Sequence, residues 1–292
     1  MNTSTWLESV RVFVACTPSE WLPMKILEYS IRSHCSLDVE VYPIYKYKKA
    51  VPVPQDPRNK ARTPFSYQRF LIPEICDYQG KAIYLDSDML VFSDISKIWN
   101  ANFEGHQLLT VGDTLNGRKS QFSVMLLDCG MLKWDLANII NSMDKGVLSY
   151  QELMYEMSIV DSIGYDLPPE WNCLERFDQS TCLLHYTDMH TQPWISLENK
   201  LGHLWMQTLR SAVNAGFISR FELEREVSLK HVRPSLLAQL DMGIDQSASL
   251  TPVVGKLDKG FVAPYRLLGP SRWKKVLDKI ERIKKGFGIP TN

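Results

Sequence analysis

The 292-residue sequence has no excess of charge: 33 Lys and Arg balance 33 Asp and Glu, so its overall electrostatics do not favour a nucleic acid or another strongly charged partner. It has no cysteine pair at metal-ligand spacing. The six cysteines (Cys16, Cys35, Cys76, Cys129, Cys173 and Cys182) are scattered through apolar stretches and read as buried, reduced thiols. No apolar run approaches the roughly 20 residues of a membrane span. The start, MNTSTWLESVRVF, lacks the basic residues and apolar stretch of a secretory leader, so a cytoplasmic location is expected. There is no internal repeat. What remains is the composition of an ordinary globular protein, 45% hydrophobic and 23% charged, with enough length for one large domain or two small ones.

The apolar pattern begins as strand, helix, strand. VRVFVAC (10–16) is a short apolar run. Leu22, Ile26, Leu27 and Ile31 recur at helical spacing from Trp21 to His34, and LDVEVYPI (37–44) alternates as a strand does. This is the opening of a doubly wound α/β fold. Residues 49–64 carry four prolines among basic side chains and read as a loop. A helix is expected over 65–78, a strand at KAIYLD, a turn and short helix with Asp94 as N-cap, and strands at 107–113 and 121–129. Residues 131–160 are helical by period, 181–188 is an apolar strand, and 197–226 turns helical again. Residues 235–262 carry little periodic signal. A catalytic domain over 1–228 and an extension over 229–292 are expected.

One stretch does not fit a simple core. IYLDSDMLVF (83–92) sets two aspartates inside an apolar strand pattern. Side chains alternate along a strand, so Asp86 and Asp88 point the same way and Ser87 the other. Two carboxylates placed together need a compensating positive charge. A divalent cation shared with a phosphate ligand supplies it, and hard oxygen donors suit Mg²⁺ or Mn²⁺. The end of an apolar strand is also where ligands bind in open α/β sheets. The residues alone leave open a strand end with two solvated acids.

The surrounding segment, SYQRFLIPEICDYQGKAIYLDSDMLVFSDISKIW (66–99), resembles the family-8 glycosyltransferases of the GT-A fold. LEYSI (27–31), LPPEWN (167–172) and HYTDMHTQPW (185–194) match the same family in order, so the resemblance covers about residues 10–194. It implies a mixed, mainly parallel sheet flanked by helices, and roles for matching positions. Asp86 and Asp88 would bind the metal, with Asp86 also at the donor's ribose, and His185 would complete the metal site. Ser87 lies within the same donor-binding segment. Cys16 and Thr17 fall on the nucleotide-binding turn, Arg69 on an arginine that reaches the diphosphate or donor sugar, and Gln151 near a glutamine beside the reacting carbon. Departures are also legible. Gln192 stands where the family has lysine before Pro-Trp, and a neutral amide cannot offset leaving-group charge as a cation does. Arg62 could supply that cation. Asp188 replaces a glycine, the loop is one residue longer, and it holds a second histidine, His190, as an alternative ligand. Tyr150 replaces the first aspartate of an Asp-Gln-Asp.

The resemblance implies a metal-dependent transfer of sugar from a nucleotide-diphosphate sugar, expected to be a UDP-sugar, to a hydroxyl of a carbohydrate or lipid-linked acceptor, with retention, in glycolipid, lipopolysaccharide or polysaccharide synthesis. Two alternatives stand beside it: a nucleotidyltransferase that makes the nucleotide sugar, and a non-catalytic nucleotide-sugar binder. The first normally has a glycine-rich loop after its first strand, and ACTPSEW has no glycine. At the other end, RWKKVLDKIERIKKGF (272–287) holds seven basic residues and two acids, with Trp273, Val276, Leu277, Ile280, Ile283 and Phe287 on one helical stripe. Such a segment suits peripheral docking on the inner, anionic face of a membrane, or packing on the domain.

Overall fold

The computed structural model describes residues 9–112 and 122–267. Its centre is a six-stranded mixed sheet. The fully buried β1 (Val10–Ala15) pairs in parallel with β2 (Val39–Pro43) on one side and with β3 (Lys81–Asp86) on the other. Three more strands extend it: β5 (Leu108–Val111), β6 (Val124–Asp128) and β7 (Ile163–Leu167), giving the order β2-β1-β3-β6-β5-β7. β6 runs antiparallel to both β3 and β5, while β7 is parallel to β5. A second sheet of three short strands places β9 (Leu183–His185) between β4 (Met89–Val91) and β8 (Cys173–Leu174).

Period-two alternation divides the core. Phe13, Tyr84 and Met125 enter the cluster on one face, with Phe70 and Trp134. Val12, Val14, Ile83, Leu85 and Leu126 enter the other, with residues of α1 (Trp21–His34). The turns α2 (Ile72–Ile75) and α3 (Ser96–Trp99) flank β3 and β4, and α4 (Leu136–Asp144) follows β6. A third cluster joins Leu90 and Leu184 of the small sheet to α5 (Gly202–Asn214), α6 (Arg220–Ser228) and α7 (Ser235–Asp241). Val232 and Leu236 of the extension sit in this cluster with Trp194 and Trp205. Arg233, 1% exposed, donates its backbone N–H to the Trp194 carbonyl at 2.8 Å and its Nε–H to the Pro193 carbonyl at 2.9 Å.

The opening strand, helix and strand lie where the apolar pattern predicts them. The helix expected over 65–78 is instead a tight turn, Gln68–Leu71, running into the four residues of α2, whose first turn contains Pro73. The stretch 131–160 is broken after α4, with Gly146 at φ 69° and Met157 at φ 49°. The edge strand β7 (IGYDL) escapes a pattern search because its sequence is half polar and half exposed. Residues 235–262, which lack a clear period, form α7 and a short helix, Pro252–Lys256. The basic stripe at 272–287 lies outside the described residues. Among the described residues, no helix is long and apolar enough to cross a membrane.

Candidate active site

Asp86 is the last residue of β3, and Asp88 follows the turn that leads into β4. β4 pairs with β9 so that Met89 stands opposite His185, which brings the imidazole to the two aspartates from about a hundred residues away. One ligand atom from each of Asp86, Asp88 and His185 lies within 4.8 Å of the others. His190, the alternative, is elsewhere: it is exposed, with Nδ1 2.8 Å from the Tyr265 hydroxyl.

The polar contacts of this cluster fit a cation. His185 is buried, and its Nδ1 sits 3.0 Å from the Asn172 carboxamide oxygen, so Nδ1–H donates there and Nε2 keeps its lone pair. Nε2 lies 3.1 Å from Oδ1 of Asp88, yet that buried oxygen has no hydrogen-bond partner. Two ligand atoms side by side, one of them a buried oxygen without a donor, form a site for a third atom between them. The other Asp88 oxygen accepts from the Gln192 amide at 3.0 Å. Burial pushes the His185 pKa down, but the charges of Asp88 and Asp86 push harder, and the net direction is up.

Arg69 anchors the other side. It is 4% exposed, with Nε 3.2 Å from the Ser66 carbonyl, Nη1 2.9 Å from the Phe122 carbonyl and Nη2 3.6 Å from Asp86. Its guanidinium lies over the Tyr84 ring, and the Tyr84 hydroxyl donates to Asp86. Asp86 is therefore held by a cation and a phenol. Above the cluster a cleft of about 250 Å³ is walled by Arg62, Phe65, Tyr150, Tyr155 and Met189, with Arg69, Asp86, Asp88 and His185 at its base. Arg62 lies 4.9 Å from the centre of the Tyr155 ring and 5.4 Å from that of Tyr150, and it donates to the Tyr155 hydroxyl.

The structure thus brings Asp86, Asp88, His185, Arg69 and Arg62 to one cleft. It places five other expected residues differently. Gln151 is exposed and turns to Glu156 at 3.4 Å, and its neighbour Tyr150 lines the cleft instead, because only one of two adjacent side chains can face inward here. Gln192 supports Asp88 and donates to the Tyr186 carbonyl at 3.0 Å, so its amide hydrogens are already engaged. Thr17 closes a capping box with Glu20 and does not line the cleft. Cys16 exchanges two backbone hydrogen bonds with the Gln68 side chain, at 3.2 and 2.9 Å. Ser87 is buried and borders a smaller lobe beyond Asp88. Asn172, Tyr84, Gln68 and Glu20 carry no expectation from the sequence. Asn172 closes the quoted LPPEWN stretch, and Gln68 and Tyr84 fall inside the quoted segment 66–99, so each had that one signal; Glu20 follows the first strand with no sign of its role.

With this geometry in hand, relatives become informative. Residues 25–146 match the family described as Glycosyl transferase family 8. Protein CDI of Arabidopsis thaliana is 28% identical over 193 residues, covering 60% of this chain and 73% of that protein. Glycosyltransferase GlyF of Streptococcus pneumoniae is 26% identical over 204 residues, covering 62% of this chain but only 48% of its own length. The fold is similar to that of the galactosyltransferase LgtC solved with donor and acceptor sugar analogs, at TM-score 0.50 and 12% identity, over 69% of this chain and 96% of that one. The family match covers less than half of the chain, and the fold is similar to that of glycosyltransferases of the GT-A type.

Proposed function

We propose that the protein moves a sugar from a nucleotide-diphosphate sugar, a UDP-sugar first among candidates, to a hydroxyl of a carbohydrate or lipid-linked acceptor. The observation that carries this reading is the convergence of Asp86, Asp88 and His185 within 4.8 Å at the base of a cleft that also holds Arg62 and Arg69. These three residues would hold Mn²⁺ or Mg²⁺. A bound divalent cation would supply stabilisation of the charge that develops on the leaving diphosphate.

The chain's own groups account for the rest. Gln192 and Asn172 orient Asp88 and His185. Arg69 lies 3.6 Å from Asp86 and presents positive charge at the cleft base. Arg62 adds a cation at the wall. Asp86 and Asp88 are the only acids among the described residues lining this lobe, and both belong to the cluster. Among the described lining residues no carboxylate is left as a separate nucleophile, so for the retention that the family resemblance implies, same-face attack is the consistent route. The bond from C1 to the diphosphate oxygen breaks, the acceptor oxygen bonds to C1 on that face, and its proton passes to the leaving phosphate oxygen.

We place residues 1–228 as the catalytic unit and 229–292 as its extension, and we place the protein in the cytoplasm, with its basic carboxy-terminal segment docked on an anionic membrane where a lipid-linked acceptor would lie. The test is a thermal-shift screen of UDP-, GDP- and CMP-sugars with and without Mn²⁺, followed by donor hydrolysis. Manganese-dependent stabilisation by one class of nucleotide sugar is expected. No stabilisation by any of them would overturn the reading.

A further inference from the structure

The cleft continues past Asp88 into a smaller lobe of about 50 Å³. The two lobes share Thr63, Phe65, Asp88 and Met189, and the residues the smaller adds include Glu20, Gln192, His231 and Tyr265. A ligand spanning both lobes passes the carboxylates. Most polar groups of the small lobe are already engaged. Gln192 is bound to Asp88 and Tyr186. The Tyr265 hydroxyl meets His190 at 2.8 Å and Arg266 at 2.9 Å. Glu20 accepts from the Thr17 N–H at 2.6 Å, and burial pushes its carboxyl up, toward the neutral form.

His231 is different. It is the one basic side chain among the described residues lining this lobe. Its Nδ1 lies 2.7 Å from Oε2 of Glu226. Glu226 is 1% exposed, and its other oxygen receives Arg225 Nε at 3.0 Å and Nη2 at 2.9 Å. A buried carboxylate on Nδ1 fixes the ring, and in an imidazolium Nε2–H is the second donor, the one left to meet an anion. Nothing in the reaction described above uses this pair.

We propose that His231, held by Glu226, is the cationic contact of the small lobe and binds the diphosphate of the donor. This rests on the donor reading given above. The placement supports it: Asp86, Asp88 and His185 lie on one side of the shared wall, while the small lobe on the other side has no second cation among its described lining residues. An anion passing Asp88 would have one basic side chain to meet among the described lining residues, and it is His231.

The test is isothermal titration of the full chain in Mn²⁺ with UDP and, independently of any base, with inorganic pyrophosphate. His231→Gln should weaken both about tenfold or more, the loss of one charge-assisted hydrogen bond. His231→Arg should retain most of the affinity, and Glu226→Gln should lose part of it. Equal binding of both probes by wild type and a folded His231→Gln would overturn the proposal while leaving the donor reading intact. Failure of wild type to bind either probe would overturn both. Should His231→Gln not fold, side-chain NMR of wild type in Mg²⁺ decides: the His231 ring signals should move on adding pyrophosphate, and unmoved signals sink the proposal.

Discussion

Oδ1 of Asp88 and Nε2 of His185 stand 3.1 Å apart without a hydrogen bond joining them, although both are buried. Side chains left this way are positioned for something other than each other. Asp88→Asn should abolish manganese binding by titration calorimetry and leave the metal-free protein folded, with a melting temperature equal to or above that of wild type, because one of two adjacent carboxylates is gone. Retained manganese affinity in this variant would remove Asp88 from the site.

Asn172 acts one step further out. It accepts from Nδ1 of His185 and so directs Nε2 at Asp88. Asn172→Ala should weaken manganese binding by roughly tenfold to a hundredfold, with smaller effects on melting. A large loss of stability with unchanged metal affinity would make Asn172 a packing residue only.

Arg69 combines two roles that separate by substitution. Arg69→Ala should lower turnover by about a hundredfold or more if it stabilises developing charge. It should also destabilise the fold by a few kcal/mol, since the buried Phe122 carbonyl and Asp86 lose their partner. Arg69→Lys keeps the charge but not the fork, and should recover stability less than turnover. A change in donor KM alone would assign Arg69 to positioning.

The site residues were legible in the sequence to different degrees, for physical reasons. Asp86 and Asp88 stand out because acids interrupt an apolar strand. His185 is recognisable only through its motif, because the β4–β9 pairing that brings it to Asp88 is long-range. The opening strand and α1 follow from periodicity. β7 and β8 do not, being short, polar or both. The position of Gln192 is legible but its contact is not: sequence pointed to the leaving group, and the structure turns the amide to Asp88. Glu226 and His231 carry no motif, and only the fold of α6 and the turn after it brings them together.

Asp94 gives a test of the fold away from the cleft. Partial burial raises its pKa, but the hydroxyls and backbone N–H groups of Ser36 and Ser96 lower it more, to about 2. A depressed carboxylate contributes stability above its unfolded pKa of about 4, and that contribution is lost as pH falls through about 2. Asp94→Ala should therefore cost roughly 1 kcal/mol at pH 7, with the difference from wild type shrinking as pH drops from about 4 to 2 in urea melts. A difference that is constant with pH would show that the charge is not what holds this cap.

The carboxy-terminal segment can be tested by deletion. Removing residues 272–292 takes away a segment with seven basic residues and two acids between 272 and 287. Binding to vesicles containing anionic lipid should disappear, and in the full chain it should weaken as salt rises. Turnover on a soluble acceptor should be preserved. Unfolding of the deleted protein, with no vesicle binding by the full chain, would put the segment on the domain instead.

The contacts made by Arg233 have a consequence for substitution as well as for shape. Its guanidinium and its backbone N–H grip the carbonyls of Pro193 and Trp194, atoms that every residue possesses. Substitution at 193 or 194 cannot abolish that grip by changing an acceptor, whereas Gln192, immediately before them, meets Asp88 through its side chain and is answerable to it. Neighbouring positions of one short segment thus differ in how far their contacts depend on the side chain. A fragment ending at residue 228 would keep Asp86, Asp88 and His185 yet lack the guanidinium that steadies the backbone at 193 and 194.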